Sequence, residues 1–343
     1  MKNIRGFASD NNAGVHEKVM EKIIAINHGH EIGYGDDKYT EEAKAKLREH
    51  FGENIDSYFV FNGTGANTLA IANTLFPFQA VICAQSAHIN VDECGAPDHY
   101  CGNKLLSAPT SDGKLTIADI ESYLHGRGDE HHVQPKMISI TQVTELGTIY
   151  TPAEIKAITD FAHSKDLYVH MDGARLSNAA AALGVSFREI TADVGIDLLS
   201  FGLTKNGAMN AEAVIFFNQE LSVNMKYYRK QAMQLGSKMR YMSTQFTAML
   251  TDDLWKKNAS HANNMAKFLE EQIAPISEVT LVYPVQSNGV FVEVPNEIIE
   301  PLQNEYFFYM WDESKSQVRW MCSYDTTKDD ILKFVEAIKR LLG

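Results

Sequence analysis

Two strand-like segments of the chain each end in a side chain that can take part in chemical reactions. One apolar run ends in Asp172, and Arg175 follows three residues later. A second run leads to Lys205, which Gly202 and Gly207 flank. A carboxylate can hold a protonated ring nitrogen, and a lysine amine can form a Schiff base with an aldehyde. The alternative is that Asp172 and Lys205 form only a salt bridge, as strand-end charges often do in α/β proteins.

Pyridoxal 5′-phosphate (PLP) is a cofactor that needs both an anion and a lysine. It also needs a phosphate site, and the segment Asn62-Gly-Thr-Gly-Ala-Asn67 joins an apolar run to a helix-like stretch. Backbone N–H groups at such a helix start, around Gly63 and Thr64, suit a phosphate. A plain helix cap is the alternative for this turn. The chain contains neither a P-loop nor a Rossmann fingerprint, which disfavours a nucleotide ligand.

A histidine follows another strand-like run. His88 lies just beyond Ala84, and its flat ring can stack on a cofactor or exchange protons near neutral pH. A surface histidine is the plainer interpretation of such a residue taken alone. The four strand ends meet at one edge if the strands are parallel, because ligands of open α/β sheets bind at the carboxyl ends. The conjunction therefore favours a cofactor site.

Strand-like and helix-like segments alternate through the first two thirds of the chain, which predicts an α/β fold with a mainly parallel sheet between helices. The predicted strands are Tyr58–Asn62, Ala80–Ala84, Lys104–Ala108, Met137–Gln142, Tyr168–Met171, Leu198–Phe201 and Ala213–Asn218. The predicted helices between them include Thr64–Leu75, Thr116–Tyr123, Pro152–Lys165 and Leu176–Leu183.

The later part of the chain has a different pattern. Residues 224–249 are rich in Lys, Arg, Met and Gln and predict one long helical link. Beyond it, a helix, three short strands and a final helix, Lys328–Leu341, predict a small α+β domain. We therefore predict an N-terminal segment, 1–18, that contributes to the active site and the small domain, a large cofactor-binding domain, 19–248, and a small C-terminal domain, 249–343.

Composition excludes several classes of partner. The chain has 343 residues, a formal net charge of −13 and a sequence pI near 5.4, which argues against a nucleic-acid partner. The chain contains no run of 18 apolar residues that could span a membrane, and its first residues lack the apolar core of a signal peptide. We therefore expect a cytoplasmic protein without a membrane partner. Four cysteines without a C-x-x-C pair are read as buried free thiols, and no metal site is predicted.

Taken together, these motifs resemble those of the low-specificity L-threonine aldolases, PLP-dependent enzymes of the aspartate-aminotransferase fold class (fold type I) within the β-eliminating lyase/threonine aldolase family. The resemblance spans nearly the whole chain in family order. Its segments are Phe7-Ala-Ser-Asp-Asn11, Tyr34-Gly-Asp-Asp37, Asn62-Gly-Thr-Gly-Ala-Asn67, Ala87-His88, Asp172-Gly-Ala-Arg175, Gly202-Leu-Thr-Lys205 and Arg319.

The resemblance implies a role for each matched position. Lys205 would carry PLP as a Schiff base, Asp172 would hold the ring nitrogen, and His88 would stack on the ring. The phosphate would contact Gly63, Thr64 and Arg240, with Arg240 reaching a neighbouring subunit's cofactor. The substrate carboxylate would be clamped by Ser9, Arg175 and Arg319, because arginine forks suit carboxylates. Tyr34 would lie near the substrate, across a subunit boundary.

One position departs from the family pattern. Many aldolases carry a histidine in the segment that corresponds to Thr141–Gly147, whereas this chain has Glu145. That histidine is a candidate for taking the proton of the substrate's β-hydroxyl group. Two interpretations of Glu145 stay open. Either His88 or a water held near Glu145 takes over this task, or Glu145 only anchors a neighbouring loop.

The resemblance also implies an activity and an assembly. The activity would be retro-aldol cleavage of L-threonine, L-allo-threonine and related β-hydroxy-α-amino acids into glycine and an aldehyde. The assembly would be a homotetramer, a dimer of dimers. A β-eliminating lyase and a class V-type aminotransferase on the same scaffold are the nearest alternatives, because PLP supports all of these reactions. A more distant alternative is a binding protein that has lost turnover.

Overall fold

The computed structural model describes residues 5–343. Residues 1–4, with which the predicted N-terminal segment begins, lie outside the described residues. Most of the chain surrounds a seven-stranded sheet in the order β1-β7-β6-β5-β4-β2-β3. Its strands are β1 (Asp56–Val60), β2 (Gln79–Ala84), β3 (Lys104–Ala108), β4 (Gln134–Thr141), β5 (Tyr168–Gly173), β6 (Leu198–Gly202) and β7 (Glu212–Phe216).

The strands of this sheet are parallel except for β7, which runs antiparallel to both β1 and β6. The carboxyl ends of six strands therefore point to the same edge of the sheet, and β7 begins at that edge. This confirms the predicted fold class and all seven predicted strands. The central strands β5, β6 and β7 are almost fully buried, as expected for a sheet covered on both faces.

A second, four-stranded sheet is antiparallel and has the order β10-β11-β9-β8. Its strands are β8 (Thr280–Leu281), β9 (Gly289–Glu293), β10 (Tyr309–Asp312) and β11 (Gln317–Met321). Sequence reasoning did not find β10, because this short strand is only partly buried and shows no clear alternation. The helices around the two sheets are α1 (Glu17–Ala25), α2 (Lys38–Phe51), α3 (Gly63–Thr74), α4 (His88–Val91), α5 (Ala96–Cys101), α6 (Ile117–Ser122), α7 (Pro152–Ser164), α8 (Leu176–Leu183), α9 (Met225–Gln231), α10 (Arg240–Leu250), α11 (Leu254–Ile273), α12 (Asn296–Glu305) and α13 (Lys328–Leu342).

The predicted helical link at 224–249 was wrong as a single helix. The structure has two helices, α9 and α10, separated by residues 232–239. Met233 adopts a left-handed backbone conformation with φ of 62°, which a continuing helix cannot accommodate. The cysteine prediction also needs one correction, because Cys94 is an exposed thiol whereas the other three cysteines are buried.

Helix starts follow their sequence signals. A capping box begins α7: the side chain of Thr151 accepts a hydrogen bond from the N–H of Glu154, whose carboxylate accepts from the N–H of Thr151 in return. Within residues 5–343, no helix is both long enough and apolar enough to cross a bilayer.

Two hydrophobic cores stabilise the fold. The larger one lies against the seven-stranded sheet, and the smaller one lies between the four-stranded sheet, α11 and α13. Phe7 belongs to the smaller core and stacks on Phe334 with ring centroids 4.4 Å apart. Its backbone N–H donates to Phe307, and its carbonyl accepts from the N–H of Met321. The N-terminal segment is thereby anchored beside β11.

We expect Phe7→Ala to lower the free energy of unfolding by about 3–5 kcal/mol, because it removes a fully buried ring and leaves a cavity. Urea denaturation followed by circular dichroism measures the change. Phe76→Ala is the matched control, since that ring is 65% exposed. Equal stability of the two variants would contradict the anchoring role of Phe7.

Candidate active site

The predicted strand ends form one cavity at the carboxyl edge of the larger sheet. The cavity has about 480 Å³ of empty volume and is lined by Gly63, His88, Glu145, Asp172, Arg175 and Lys205. A wider cavity of about 1030 Å³ adjoins it and shares four of these residues. It adds two further residues predicted for the substrate site, Ser9 and Arg319. The structure therefore brings together eight of the predicted site residues.

Asp172 is a buried carboxylate near the end of β5. Its Oδ2 accepts a hydrogen bond from Asn67 Nδ2 at 2.8 Å, and its Oδ1 accepts from the backbone N–H of Ala174 at 3.0 Å. Burial pushes the pKa of Asp172 upward, but His88, these hydrogen bonds and Lys205 outweigh burial, so the pKa lies below its usual value. Asp172 is therefore an anion, as a partner for a protonated ring nitrogen must be.

Lys205 lies three residues beyond β6, in a short 3₁₀ turn. Within residues 5–343, its amine makes no hydrogen bond or ion pair, although it faces the cavity that Asp172 lines. Burial is the main cause that lowers its pKa, and the charge of Arg175 adds to the effect. A lowered pKa leaves more of the amine neutral, and the neutral amine is the nucleophile that attacks an aldehyde.

His88 and Glu145 contact each other through the backbone. Glu145 Oε1 accepts hydrogen bonds from the N–H of His88 at 2.7 Å and from Thr141 Oγ1 at 2.9 Å. Its second oxygen, Oε2, is buried and has no partner within residues 5–343. Burial, reinforced by Asp172, raises the pKa of Glu145 to about 7. One oxygen thus anchors the loop, as one interpretation expected, and the other is free to take a proton.

The start of α3 has the geometry of an anion site. Asn62 accepts a hydrogen bond from the N–H of Gly65 at 2.7 Å and so caps the helix. Within residues 5–343, the N–H groups of Gly63 and Thr64 have no partner, as required of phosphate donors. Gly63 lines the active-site cavity, whereas Thr64 lines a neighbouring cavity that includes Gln234.

The predicted carboxylate clamp contains a carboxylate of its own. Arg175 donates from Nε and Nη2 to the two oxygens of Asp10, at 2.7 and 2.9 Å. Asn288 also donates to Asp10, at 3.0 Å. Arg319 donates to the carbonyl of Ala8 at 3.2 Å and lies 4.8 Å from the ring centroid of Trp311. Burial and the charge of Arg175 lower the pKa of Arg319 to about 10.

Two predicted site residues lie apart from these cavities. Arg240 donates to the carbonyl of His28 at 3.2 Å and to the hydroxyl of Tyr241 at 3.1 Å. Tyr34 is 52% exposed, and the amine of Lys230 lies 5.2 Å from the centroid of its ring. Neither residue lines a cavity with Lys205 of its own chain. Their predicted roles at a subunit boundary stay predictions.

Sequence reasoning missed three polar residues that hold the site together. Asp10 orients Arg175, Asn67 holds Asp172, and Glu93 accepts a hydrogen bond from Asn67 at 2.9 Å. Asp10 and Asn67 lie inside the quoted motifs, and Glu93 lies five residues after His88. Each contact joins residues that are distant in the sequence, so no local pattern reveals it.

The residues present fit PLP. An unpaired amine, an anionic carboxylate and unpartnered N–H groups at a helix start face the same region, as the aldehyde, ring nitrogen and phosphate require. Lys205 would carry the cofactor, Asp172 would hold its ring nitrogen, and Gly63 with Thr64 would bind its phosphate. His88 lines the same cavity and would contact the ring.

We expect Asp10→Asn to lower the free energy of unfolding by about 3–5 kcal/mol, because it leaves the guanidinium of Arg175 buried without a counter-charge. Arg175, Lys205 and Asn288 hold the pKa of Asp10 below its usual 3.8 despite burial, so this stability exists above pH 3.8 and is lost as pH falls further. Urea denaturation at pH 7 and pH 3 measures both effects. Asp193→Asn is the control, because its ion pair with Arg188 is exposed. If the Asp10 variant is as stable at pH 7 as the control variant, Asp10 is not the stabilising counter-charge of Arg175.

Comparison with known proteins gives a consistent result. Residues 6–297 match the family described as Beta-eliminating lyase. The chain is 41% identical over 338 residues to the low specificity L-threonine aldolase of Pseudomonas aeruginosa, covering 98% of both chains. A Pseudomonas sp. protein of the same name is also 41% identical, with the same coverage. The solved structure of Leishmania major threonine aldolase superposes with a TM-score of 0.93 at 32% identity, covering 99% of this chain and 100% of that one. The chain belongs to the β-eliminating lyase family.

Proposed function

We propose that the protein is a PLP-dependent aldehyde-lyase. It cleaves L-threonine, L-allo-threonine and related β-hydroxy-α-amino acids into glycine and an aldehyde. The observation that carries the proposal is the unpaired Lys205 amine in one cavity with the anionic Asp172, beside two arginines that suit a substrate carboxylate. The names of the Pseudomonas and Leishmania relatives support the same reaction.

The residues of the site divide the work. PLP, when bound, supplies a sink for the electron pair released as the Cα–Cβ bond of the substrate breaks. Asp172 remains anionic and so keeps a proton on the ring nitrogen that it holds. Arg175 and Arg319, with Ser9, bind the substrate carboxylate and fix the rotation about Cα. Orientation of this kind can contribute on the order of 7 kcal/mol.

The carboxylate site has a built-in charge balance. Asp10 neutralises the charge of Arg175, and its two oxygens accept hydrogen bonds from Nε and Nη2 of the guanidinium. Arg319 remains without a carboxylate partner within residues 5–343, and its Nε is buried and unpaired. The substrate carboxylate supplies the missing anion, which favours amino acids over amines.

Removal of the β-hydroxyl proton requires a base in the cavity. Glu145 Oε2 suits this task because it is unpartnered, and because a pKa of about 7 lets it both take and return a proton near neutral pH. The β-hydroxyl oxygen then becomes the carbonyl oxygen of the aldehyde as the Cα–Cβ bond breaks. Cα must gain a proton before glycine leaves.

Product analysis tests the reaction. Purified protein with PLP is mixed with L-allo-threonine and, separately, with L-threonine, and acetaldehyde and glycine are quantified. We expect equimolar products without any added oxo acid. Lys205→Ala is the control, which should stay folded but lose the absorbance of the bound cofactor and nearly all turnover. Ammonia with an oxo acid would instead indicate a β-eliminating lyase, and a requirement for an oxo-acid acceptor would indicate an aminotransferase.

We expect Glu145→Gln to lower kcat by on the order of 10²–10⁴-fold, the usual contribution of a general base. In the unsubstituted protein, activity should fall as pH drops through about 7, because Glu145 becomes protonated. The variant should lack this pH dependence. A glutamine oxygen can still accept from the N–H of His88, so an anchoring role alone predicts near-normal kcat. Thr141→Val, which removes only the second contact to Oε1, is the matched control.

The assembly, location and division of the chain belong to the same proposal. A homotetramer, built as a dimer of dimers, would let Arg240 and Tyr34 reach a neighbouring subunit's site, which their distance from their own cavity supports. We place the protein in the cytoplasm and assign it no nucleic-acid partner, in line with its net charge of −13. The two hydrophobic cores support a large and a small domain, which we assign, with segment 1–18, to residues 19–248 and 249–343. Met249, Leu250, Leu254 and Trp255 still pack in the larger core.

A further inference from the structure

Glu93 is a buried carboxylate to which the proposed reaction gives no task. It lies two residues after α4 and lines the active-site cavity, yet its side chain has no exposed surface. Burying a carboxylate is costly unless hydrogen bonds or an opposite charge compensate for it. The contacts of Glu93 therefore indicate which role its burial serves.

Within residues 5–343, the side chain of Glu93 makes its hydrogen bonds through one oxygen. Oε1 lies 2.9 Å from His88 Nδ1 and accepts a hydrogen bond from Asn67 Nδ2, also at 2.9 Å. The same Asn67 nitrogen donates to Asp172 at 2.8 Å. Within residues 5–343, Oε2 of Glu93 has no partner. Asn67 thus connects the carboxylate that faces His88 to the carboxylate that would hold the cofactor ring.

The contact with Glu93 determines which ring nitrogen of His88 is available. An ionised carboxylate only accepts hydrogen bonds, so while Glu93 is ionised Nδ1 of His88 carries the proton that it shares with Glu93. Nε2 has no protein partner within residues 5–343 and is not buried, and 35% of the His88 side chain is exposed. His88 also lines the wider cavity with Arg319 and Lys205, so Nε2 is the nitrogen available to a substrate.

We propose, on the basis of the aldol cleavage proposed above, that Glu93 is a positioning residue that acts through His88. It holds the imidazole in one ring orientation with Nδ1 protonated, and thereby presents Nε2 to the substrate as the atom where a proton is given or taken. Asn67 donates hydrogen bonds to both Glu93 and Asp172. It therefore helps to position the carboxylate that orients His88 and the carboxylate that would hold the cofactor nitrogen.

Electrostatics are consistent with this geometry. The hydrogen bond that His88 Nδ1 donates to Glu93 raises the pKa of His88, and the charges of Asp172 and Glu93 add to it, while burial and Lys205 act in the opposite direction. Burial raises the pKa of Glu93, and its contacts with His88 and Asn67 oppose the rise. Glu145 faces His88 only at its backbone N–H. Removing the charge of Glu93 should therefore lower the pKa of His88.

The first test needs no turnover. Diethyl pyrocarbonate modifies neutral imidazole, so the pH dependence of His88 modification, measured by peptide mass spectrometry on cofactor-free protein, reports its titration. We expect Glu93→Gln to shift the midpoint for His88 to lower pH. Asp197→Asn is the matched control. Asp197 Oδ2 lies 3.0 Å from His163 Nε2, and neither residue lines the two site cavities. This variant should leave the His88 midpoint unchanged.

The second test uses the holoenzyme with L-allo-threonine. We expect Glu93→Gln to lower kcat by on the order of 10-fold or more, with a smaller change in KM, and to have no further effect in a His88→Asn background. An unchanged His88 midpoint, or an equal loss in the His88→Asn background, would overturn the proposal. If Glu93→Gln does not fold, Glu93→Asn replaces it, because it also removes the charge, and an unshifted midpoint there overturns the proposal equally. A shifted midpoint in a protein that forms no acetaldehyde would refute the proposed function and leave the positioning role intact.

Discussion

The buried charges at the carboxyl edge of the sheet constrain the rest of the structure. Each ion removed from water costs several kcal/mol, so it must find a partner or change its protonation state. Asp172 and Asp10 find partners and remain anionic. Glu145 accepts two hydrogen bonds at Oε1 and, within residues 5–343, none at Oε2, and burial raises its pKa to about 7. The same desolvation thus produces fixed anions at some positions and an exchangeable proton at another.

The backbone at this edge is shaped by the same charges. Glu212 begins β7 opposite Gly202, and burial raises its pKa to about 7. A Cβ atom at Gly202 would lie 2.6 Å from the carboxylate of Glu212, closer than real contacts allow. A larger residue would therefore force the Glu212 side chain to shift where β6 leads into the turn that carries Lys205. The small residue at Gly202 and the buried carboxylate of Glu212 are thus linked by the space between them.

The substrate side of the site depends on segments from opposite ends of the chain. Asp10 lies in the N-terminal segment, Arg175 follows β5, and Asn288 precedes β9, yet the three side chains meet through hydrogen bonds. Phe7 holds the first of these segments in the smaller core. The position of Asp10 and Arg175 relative to Lys205 therefore depends on how the two cores pack.

Local sequence patterns were sufficient for the larger sheet and for the residues at its strand ends. Buried strands with turn residues after them placed Gly63, His88, Asp172 and Lys205 at one edge, because parallel strands end on the same side. The same approach failed for 224–249, where Met233 breaks a pattern that favours helix, and for the partly buried strand β10. Helical propensity and periodicity carry no information about a single left-handed residue or a half-exposed edge.

The sequence by itself determined the fold class, the strand ends and the resemblance to an aldolase, because each depends on neighbours along the chain. Only the tertiary structure decided that Arg175 is held by Asp10, that Glu145 keeps one free oxygen, and that Glu93 faces His88. The Arg175–Asp10 and Glu93–His88 contacts require atoms to lie 2.7–2.9 Å apart, and the first of them joins segments far apart in the sequence. Burial and opposing charges then set the protonation of each group, and neither quantity can be read from the order of residues.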